Sequence, residues 1–261
     1  MDISIVIVNY KSKNNAVNCI ESIKKSDLAG VDYEIILVDN NSGDRGAEEI
    51  KKMLPEVKII ESKKNLGMGG GNNLGIKEAV GKYVLILNPD TIVKPEAIKK
   101  LYDYLEANEN VGVVGPKLLY PDGQLQYSCF RGWKFLTPVY RRTFLGRMAK
   151  KHLDNFLMRD FDHNSAREVD WLMGSCLMTR RSVLNKIGFF DERFFMYFED
   201  TDLCRRVRQA GWKVIYFPEA VVVHDHVRAS AKKPWYLAPF SNKLSRTHIA
   251  SWIKYFWKWG M

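Results

Sequence analysis

No stretch of this chain approaches the roughly 18 consecutive apolar residues that a membrane-spanning helix needs. Its opening, Met1-Asp2-Ile3-Ser4-Ile5-Val6-Ile7-Val8, has neither the basic flank nor the length of a secretory leader and predicts a strand instead. Cysteine is scarce, and Cys19, Cys129, Cys176 and Cys204 are widely spread with no CxxC pair. That argues against a disulfide scaffold or a zinc ribbon and predicts reduced core residues in a cytoplasmic protein. Internal repeats and low-complexity linkers are missing. No window fits GxxxxGK followed by Ser or Thr, and none fits GxGxxG with an acid at the next strand tip, which disfavours a Walker site and a dinucleotide fold. With 46% hydrophobic and 27% charged residues, the composition excludes a disordered or collagen-like chain.

The 261 residues that are there suit one large α/β domain or two small ones. Lys plus Arg outnumber Asp plus Glu by 40 to 30, and the excess is concentrated. Gly123 to Leu153 carries seven basic residues and no acid. Val227 to Met261 repeats that balance and adds eight aromatics: Trp235, Tyr236, Phe240, Trp252, Tyr255, Phe256, Trp257 and Trp259. Such surfaces meet nucleic acid, anionic lipid or phosphorylated small molecules, and composition does not choose among them.

Residues 1–115 alternate apolar strands with helical segments, the pattern of parallel βαβ units. Strands are expected over 3–8, 33–38, 58–60, 83–87 and 111–114. A helix is expected over about 13–25, where Ala16, Val17, Ile20 and Ile23 fall at helical spacing. Another opens near Gly71, and Pro95 suits a first helical turn. Residues 120–167 read as irregular, with a basic middle that suits a mobile or membrane-facing insertion. A strand-like run over 169–179, a helix over 200–210 and strands at 214–217 and 221–224 complete the core. The reading is a mixed α/β domain over 1–226, with a nucleotide-binding half at 1–115 and an acceptor half at 116–226. Residues 227–261 form a basic C-terminal extension.

Ligands of open α/β sheets bind beyond the carboxyl ends of the strands. The predicted tips there are Asn9-Tyr10, Asp39-Asn40-Asn41-Ser42 and Asn88-Pro89-Asp90. Each alone is ordinary turn chemistry; together they favour a site. The glycine-rich run from Asn65 to Gly75 either presents backbone N–H groups to a phosphate or is a flexible loop. Glu199, Asp200 and Asp202 either cap a helix or, beside Phe194, Phe195, Tyr197 and Phe198, include a carboxylate with a raised pKa suited to general-base work. His224 and His226 share one strand face, as metal ligation requires.

In this order the motifs resemble family 2 inverting glycosyltransferases of the GT-A fold, over about residues 2–226. The matching pieces are Ile5 to Tyr10, Val38 to Ser42, Asn65 to Gly75, Asn88-Pro89-Asp90, Trp171 to Ser175 and Phe198 to Leu203. The Asn-Pro-Asp and Glu-Asp-Thr-Asp-Leu forms are most similar to a rhamnosyltransferase-like branch that builds bacterial surface polysaccharides. The resemblance implies a mostly parallel Rossmann-like sheet with helices on both faces. It implies that Asp39, with Asn9 and Tyr10 beside it, holds the nucleotide base and that Asn65 belongs to the nucleotide pocket. Asp90 matches the last acid of the DxD motif, and Asn88 stands where that motif has its first Asp. Asp200 matches the catalytic base, with Glu199 its neighbour. His224 stands where some members supply a metal ligand, with His226 the poorer match. Mg²⁺ or Mn²⁺ is the implied cofactor. The implied donor is a nucleoside-diphosphate sugar, either deoxythymidine-diphosphate rhamnose or a UDP-sugar, and the acceptor a glycan or polyprenyl-linked sugar.

Two other classes compete: a nucleic-acid-binding protein using the aromatic, basic tail, and a catalytically dead glycan-binding protein, suggested by Asn88. Nucleic acid is disfavoured because Asp39, Asp90, Glu199, Asp200 and Asp202 would line the cleft. In the tail, Ile249, Trp252, Ile253, Phe256 and Trp257 form an apolar stripe on a helix. That helix either docks on its own domain or a second subunit as in a homodimer, or lies on an anionic membrane surface with Arg228, Lys232, Lys233, Lys243 and Arg246 nearby. The second case places the protein peripherally on the inner face of the cell membrane.

Overall fold

The structure is a computed structural model that describes residues 1–225 and 242–260. His226, Arg228, Lys232, Lys233, Trp235, Tyr236 and Phe240 therefore lie outside the described residues. The first half runs β1 (Ile3–Asn9), α1 (Lys13–Lys24), β2 (Tyr33–Asp39), α2 (Gly46–Met53), β3 (Lys58–Glu61), α3 (Gly67–Glu78) and β4 (Tyr83–Leu87). Next come β5 (Thr91–Val93), α4 (Ala97–Ala107) and β6 (Val111–Leu119). The second half adds β7 (Leu125–Gln126), β8 (Cys129–Phe130), α5 (Thr137–Arg142), a 3-10 turn (Phe144–Arg147) and α6 (Lys150–Phe156). It continues with β9 (Arg167–Glu168), β10 (Trp171–Leu172), β11 (Cys176–Arg180), α7 (Arg181–Ile187), α8 (Glu199–Gln209) and β12 (Lys213–His224). The last described element is α9 (Lys243–Trp259).

One 10-stranded sheet orders its main path β3-β2-β1-β4-β11-β6-β12-β5. β1, β2, β3 and β4 are mutually parallel, and β6 and β12 are parallel to each other. β11 and β5 run antiparallel to their neighbours. Period-two alternation sends Ile3, Ile5 and Ile7 of β1 to one face, against Ala16, Ile20 and Ile23 of α1. Val6 goes to the other face with Ile76 of α3. Each fully buried Ile or Leu here contributes roughly 1.5–3 kcal/mol. The mixed α/β architecture with a mostly parallel sheet covered on both faces is the one expected.

Several local expectations are corrected. The glycine-rich run is not a flexible loop: from Gly67 onward it belongs to α3, which opens there rather than near Gly71. A Cβ on Gly75 would lie 2.3 Å from Val6 Cγ1, so its glycine lets α3 press against β1. Gly67 N donates to Asn65 Oδ1 and Met68 N to Phe195 O, which uses two of the opening amides. Pro95 precedes α4 rather than starting it. The 169–179 run breaks into β10 and β11, and 214–224 is one strand with a bulge between Phe217 and Val221. Pro218 sits in that bulge, as a residue without an N–H must. Residues 120–167 are folded, with Phe130 stacked on Trp171 at 4.2 Å and Trp133 against Phe156 at 4.6 Å.

The tail helix docks on its own domain, with a face rotated from the expected stripe. Tyr255 and Phe256 cluster with Phe194 and Phe198, and Trp252 and Trp259 pack against that cluster. Ile253 and Trp257 face outward, 56% and 83% exposed. Charge explains the rotation. Asp202, fully buried on α8, accepts from Arg206 Nε at 2.8 Å, Lys258 Nζ at 2.5 Å and Trp259 Nε1 at 2.9 Å. Asp202 is thus a structural node rather than a cleft-lining acid. The inward aromatics of α9 are likewise engaged in packing rather than offered for base stacking.

Candidate active site

The sheet order places the strand tips. The first three strands step outward from β1, and β4 then returns to its other side, so the chain reverses direction between β1 and β4. Such a switch point opens a crevice at the strand ends. Asn9 is in register with Asp39, and the end of β4 delivers Asn88-Pro89-Asp90 beside them. Asp39 is buried and held by its neighbours. Asn9 Nδ2 donates to Oδ1 at 3.1 Å, Ser42 Oγ donates to Oδ1 at 2.5 Å and Ser42 N donates to Oδ2 at 3.0 Å. Tyr10 follows as an exposed residue, with the Lys11 ammonium 5.5 Å from its ring centre. Asn65 Oδ1 accepts from Gly67 N at 2.9 Å and Asn40 Nδ2 at 3.3 Å, so its carbonyl fixes the turn into α3.

Asp90 and His224 meet although far apart in sequence. Thr91 of β5 pairs with His224 of β12, and Asp225 N donates to Asp90 O at 2.9 Å. His224 is buried, with Nε2 3.3 Å from Asp90 Oδ1. Its Nδ1 lies 2.6 Å from Gln126 Oε1, while Gln126 Nε2 donates to His224 O at 3.3 Å. A carbonyl only accepts, so Nδ1 donates to Gln126, and this leaves Nε2 facing the Asp90 carboxylate. Asn88 Oδ1 and Asp90 Oδ1 are also buried without a hydrogen bond among the described residues. Oxygen and imidazole donors of this kind fit Mg²⁺ or Mn²⁺. Among the described residues no group of three His, Cys, Asp or Glu gathers round one point, so further ligands would come from a substrate. Gln126 was missed from sequence, since a two-residue strand carries no periodic signal.

A cavity of ≈ 410 Å³ joins this junction to the acid pair, with Asn88 and His224 on its wall beside Glu199 and Asp200. Phe130, Trp133, Trp171 and Phe198 line it too. The acids open α8, directly after Tyr197 and Phe198, which both sit at φ +69°. Left-handed backbone at two consecutive side-chain-bearing residues stores roughly 1–3 kcal/mol each. Buried Phe198, against Trp133 at 4.9 Å and Tyr255 at 5.3 Å, holds it in place. Ser251 Oγ of α9 donates to Met196 O at 2.9 Å.

Burial raises the pKa of both carboxyls. Asp200 is partly compensated, since Gly174 N donates to Oδ2 at 2.9 Å and Thr201 N to Oδ1 at 2.7 Å. Glu199 is pushed well up, by burial first and then by the Asp200 charge, and its Oε2 has no hydrogen-bond partner among the described residues. The proton therefore stays on Glu199 at higher pH than on Asp200, which leaves Asp200 the anion and acceptor of the pair. All four cysteines are buried and none forms a disulfide.

Known proteins match this arrangement. The profile described as glycosyl transferase family 2 covers residues 4–188. The N-acetylglucosaminyl-diphospho-decaprenol L-rhamnosyltransferase of Mycobacterium tuberculosis (strain CDC 1551 / Oshkosh) is 32% identical over 212 residues, 77% of this chain and 69% of that protein. The rhamnosyltransferase WbbL of Escherichia coli (strain K12) is 25% identical over 96% of this chain and 91% of its own. Among solved structures, GalNAc-T7 with UDP, GalNAc and Mn²⁺ superposes with a TM-score of 0.64 at 17% identity, over 86% of this chain and 44% of that one. S. aureus TarS 1-349 in complex with UDP-GlcNAc gives 0.60 at 17% identity, over 87% of this chain and 60% of that one. By that profile and the 32% identity to the mycobacterial enzyme, the chain belongs to glycosyl transferase family 2, as a glycosyltransferase of the rhamnosyltransferase-like kind.

Proposed function

We propose that the protein transfers rhamnose, with inversion, from a nucleoside-diphosphate sugar to a hydroxyl of a polyprenyl-diphosphate-linked sugar during surface-polysaccharide synthesis. The observation that carries this reading is Asp200, a carboxylate of raised pKa sharing one aromatic cavity with Asn88 and His224. Asn9, Tyr10 and Asp39 hold the nucleotide at the sheet edge. Asp200 takes the proton of the acceptor hydroxyl as that oxygen attacks the anomeric carbon. The bond to the leaving diphosphate breaks on the opposite face, and a single displacement inverts the configuration. Asn88, Asp90 and His224 would hold a divalent cation, which supplies charge neutralisation for the departing diphosphate. The acceptor follows the decaprenol-linked substrate in the name of the mycobacterial relative.

A lipid-borne acceptor suits the surface near α9. Leu136, Phe144 and Met148 in the segment carrying Arg147, Lys150 and Lys151, and Ile253 and Trp257 flanking Lys254 on α9, are exposed apolar side chains. This mixture fits the headgroup region of an anionic leaflet and needs no spanning helix. No described helix is long and apolar enough to cross a membrane.

The test is transfer from deoxythymidine-diphosphate rhamnose, against a panel of UDP-sugars, to a short alkyl-diphosphate N-acetylglucosamine, with product configuration read by NMR. An inverted rhamnoside supports the reading. A retained configuration, or transfer only from other sugars, overturns it.

A further inference from the structure

The cavity has a second pole that this chemistry leaves without a task. The last turn of α5 brings Arg141 and Arg142 to the wall that also carries Glu199 and Asp200. The Arg141 guanidinium lies 5.4 Å from the ring centre of Phe156 and 5.8 Å from that of Trp133. Contacts of this kind hold the guanidinium charge against the aromatic wall of the cavity. Arg142 donates from Nη2 to Ser245 Oγ at 3.4 Å, and burial pulls its pKa below the usual guanidinium value. Beside them His248 is pushed down to about 4 by burial and by the two arginines.

The position of the pole separates it from the nucleotide. Asn9, Tyr10 and Asp39 are not among the cavity's lining residues; Met68, Asn72, Asn88, Gln126 and His224 form its donor-side end. The arginines instead belong to the stretch from Gly123 to Leu153, which carries seven basic residues and no acid. One cavity therefore offers a cationic pole, aromatic walls suited to a sugar ring and a proton-accepting carboxylate.

We propose that Arg141 and Arg142 bind the diphosphate of the acceptor and so orient its sugar hydroxyl toward Asp200. This rests on the acceptor class proposed above, and its test needs no turnover. Farnesyl diphosphate is titrated calorimetrically into the full chain with nucleoside diphosphate present, and farnesol serves as the phosphate-free control. Wild type should bind the diphosphate. Arg141→Gln and Arg142→Gln should each weaken it roughly ten- to a hundred-fold, as loss of a charge-assisted hydrogen bond does. Farnesol and nucleoside diphosphate should bind as before, and Arg142→Lys should restore part of the loss while guarding against a folding artefact. The proposal is overturned if wild type does not bind the diphosphate, or if both variants bind it normally. Equal loss of farnesol also overturns it, and a parallel loss of nucleotide assigns the pair to the donor. Failure of rhamnose transfer with the arginine effect intact would instead count against the proposed reaction alone.

Discussion

Replacing Asp200 with Asn removes one charge and one proton acceptor and changes little else in shape. The carboxylate now accepts from Gly174 N on one oxygen and from Thr201 N on the other. An amide nitrogen cannot accept, so one of these bonds is lost, at about 0.5–1.5 kcal/mol. Against that stands relief of a charge that burial disfavours. The melting temperature should therefore move by no more than a few degrees. Loss of a general base costs roughly 10²- to 10⁴-fold in rate, or about 3–5 kcal/mol of barrier. Initial rates of nucleoside-diphosphate release give kcat/KM, and a nucleotide titration shows whether donor binding survives. Because the Asp200 pKa is raised, kcat/KM of the wild type should still be climbing above the ordinary carboxylate range and level off once Asp200 is ionised. That limb should vanish in Asp200→Asn and persist in Glu199→Gln. Glu199→Gln should also be more stable at neutral pH. A carboxyl with a raised folded-state pKa loses stability as pH rises through the window above its unfolded value. Near-normal turnover by Asp200→Asn at equal stability, or a lost limb in Glu199→Gln alone, would refute this assignment.

Gln126→Leu should weaken Mn²⁺ binding in the presence of nucleotide roughly 10- to 100-fold, because it frees the His224 ring; full activity after exhaustive chelation would refute the metal role. Asp202→Ala leaves Lys258 to Asp191 and Arg206 to the carbonyls of Ile187, Gly188 and Phe189, and should cost about 1.5–3 kcal/mol, read from urea denaturation midpoints. His248, facing Arg141, Arg142, Tyr197 and Phe198, has a folded pKa of about 4 against 6.5 unperturbed. Its contribution is whole above pH 6.5 and is lost as pH falls through the window below. On the order of 3 kcal/mol of acid sensitivity should therefore disappear in His248→Gln, measured by melting temperature against pH. The full chain should pellet with anionic vesicles and release in high salt, whereas Ile253→Glu with Trp257→Glu should stay in solution; identical pelleting would leave the apolar patch without a membrane role.

The parallel half of the fold was legible because buried strands write continuous apolar runs, as at Ile3–Asn9 and Tyr83–Leu87. The strand tips followed from sheet logic, and the acid pair from its aromatic neighbours. The α3 start was misplaced because glycines that serve close packing look like a loop. The buried face of α9 was misjudged because periodicity reports apolar side chains and not the ion pairs of Lys258. Gln126 and the two arginines acquire meaning only through contacts at long sequence separation.

The left-handed pair Tyr197 and Phe198 makes the aim of the base a non-local property of the chain. Its retention depends on Trp133, far earlier in the chain, and on a helix that begins at Lys243. Strands β5 and β6 of the first half join β1–β4 only through β11 and β12, so the sheet closes after the second half has been made, and the acid segment must wait longer still for α9 to dock. The aim of Asp200 is therefore the last feature of the fold to be acquired during synthesis.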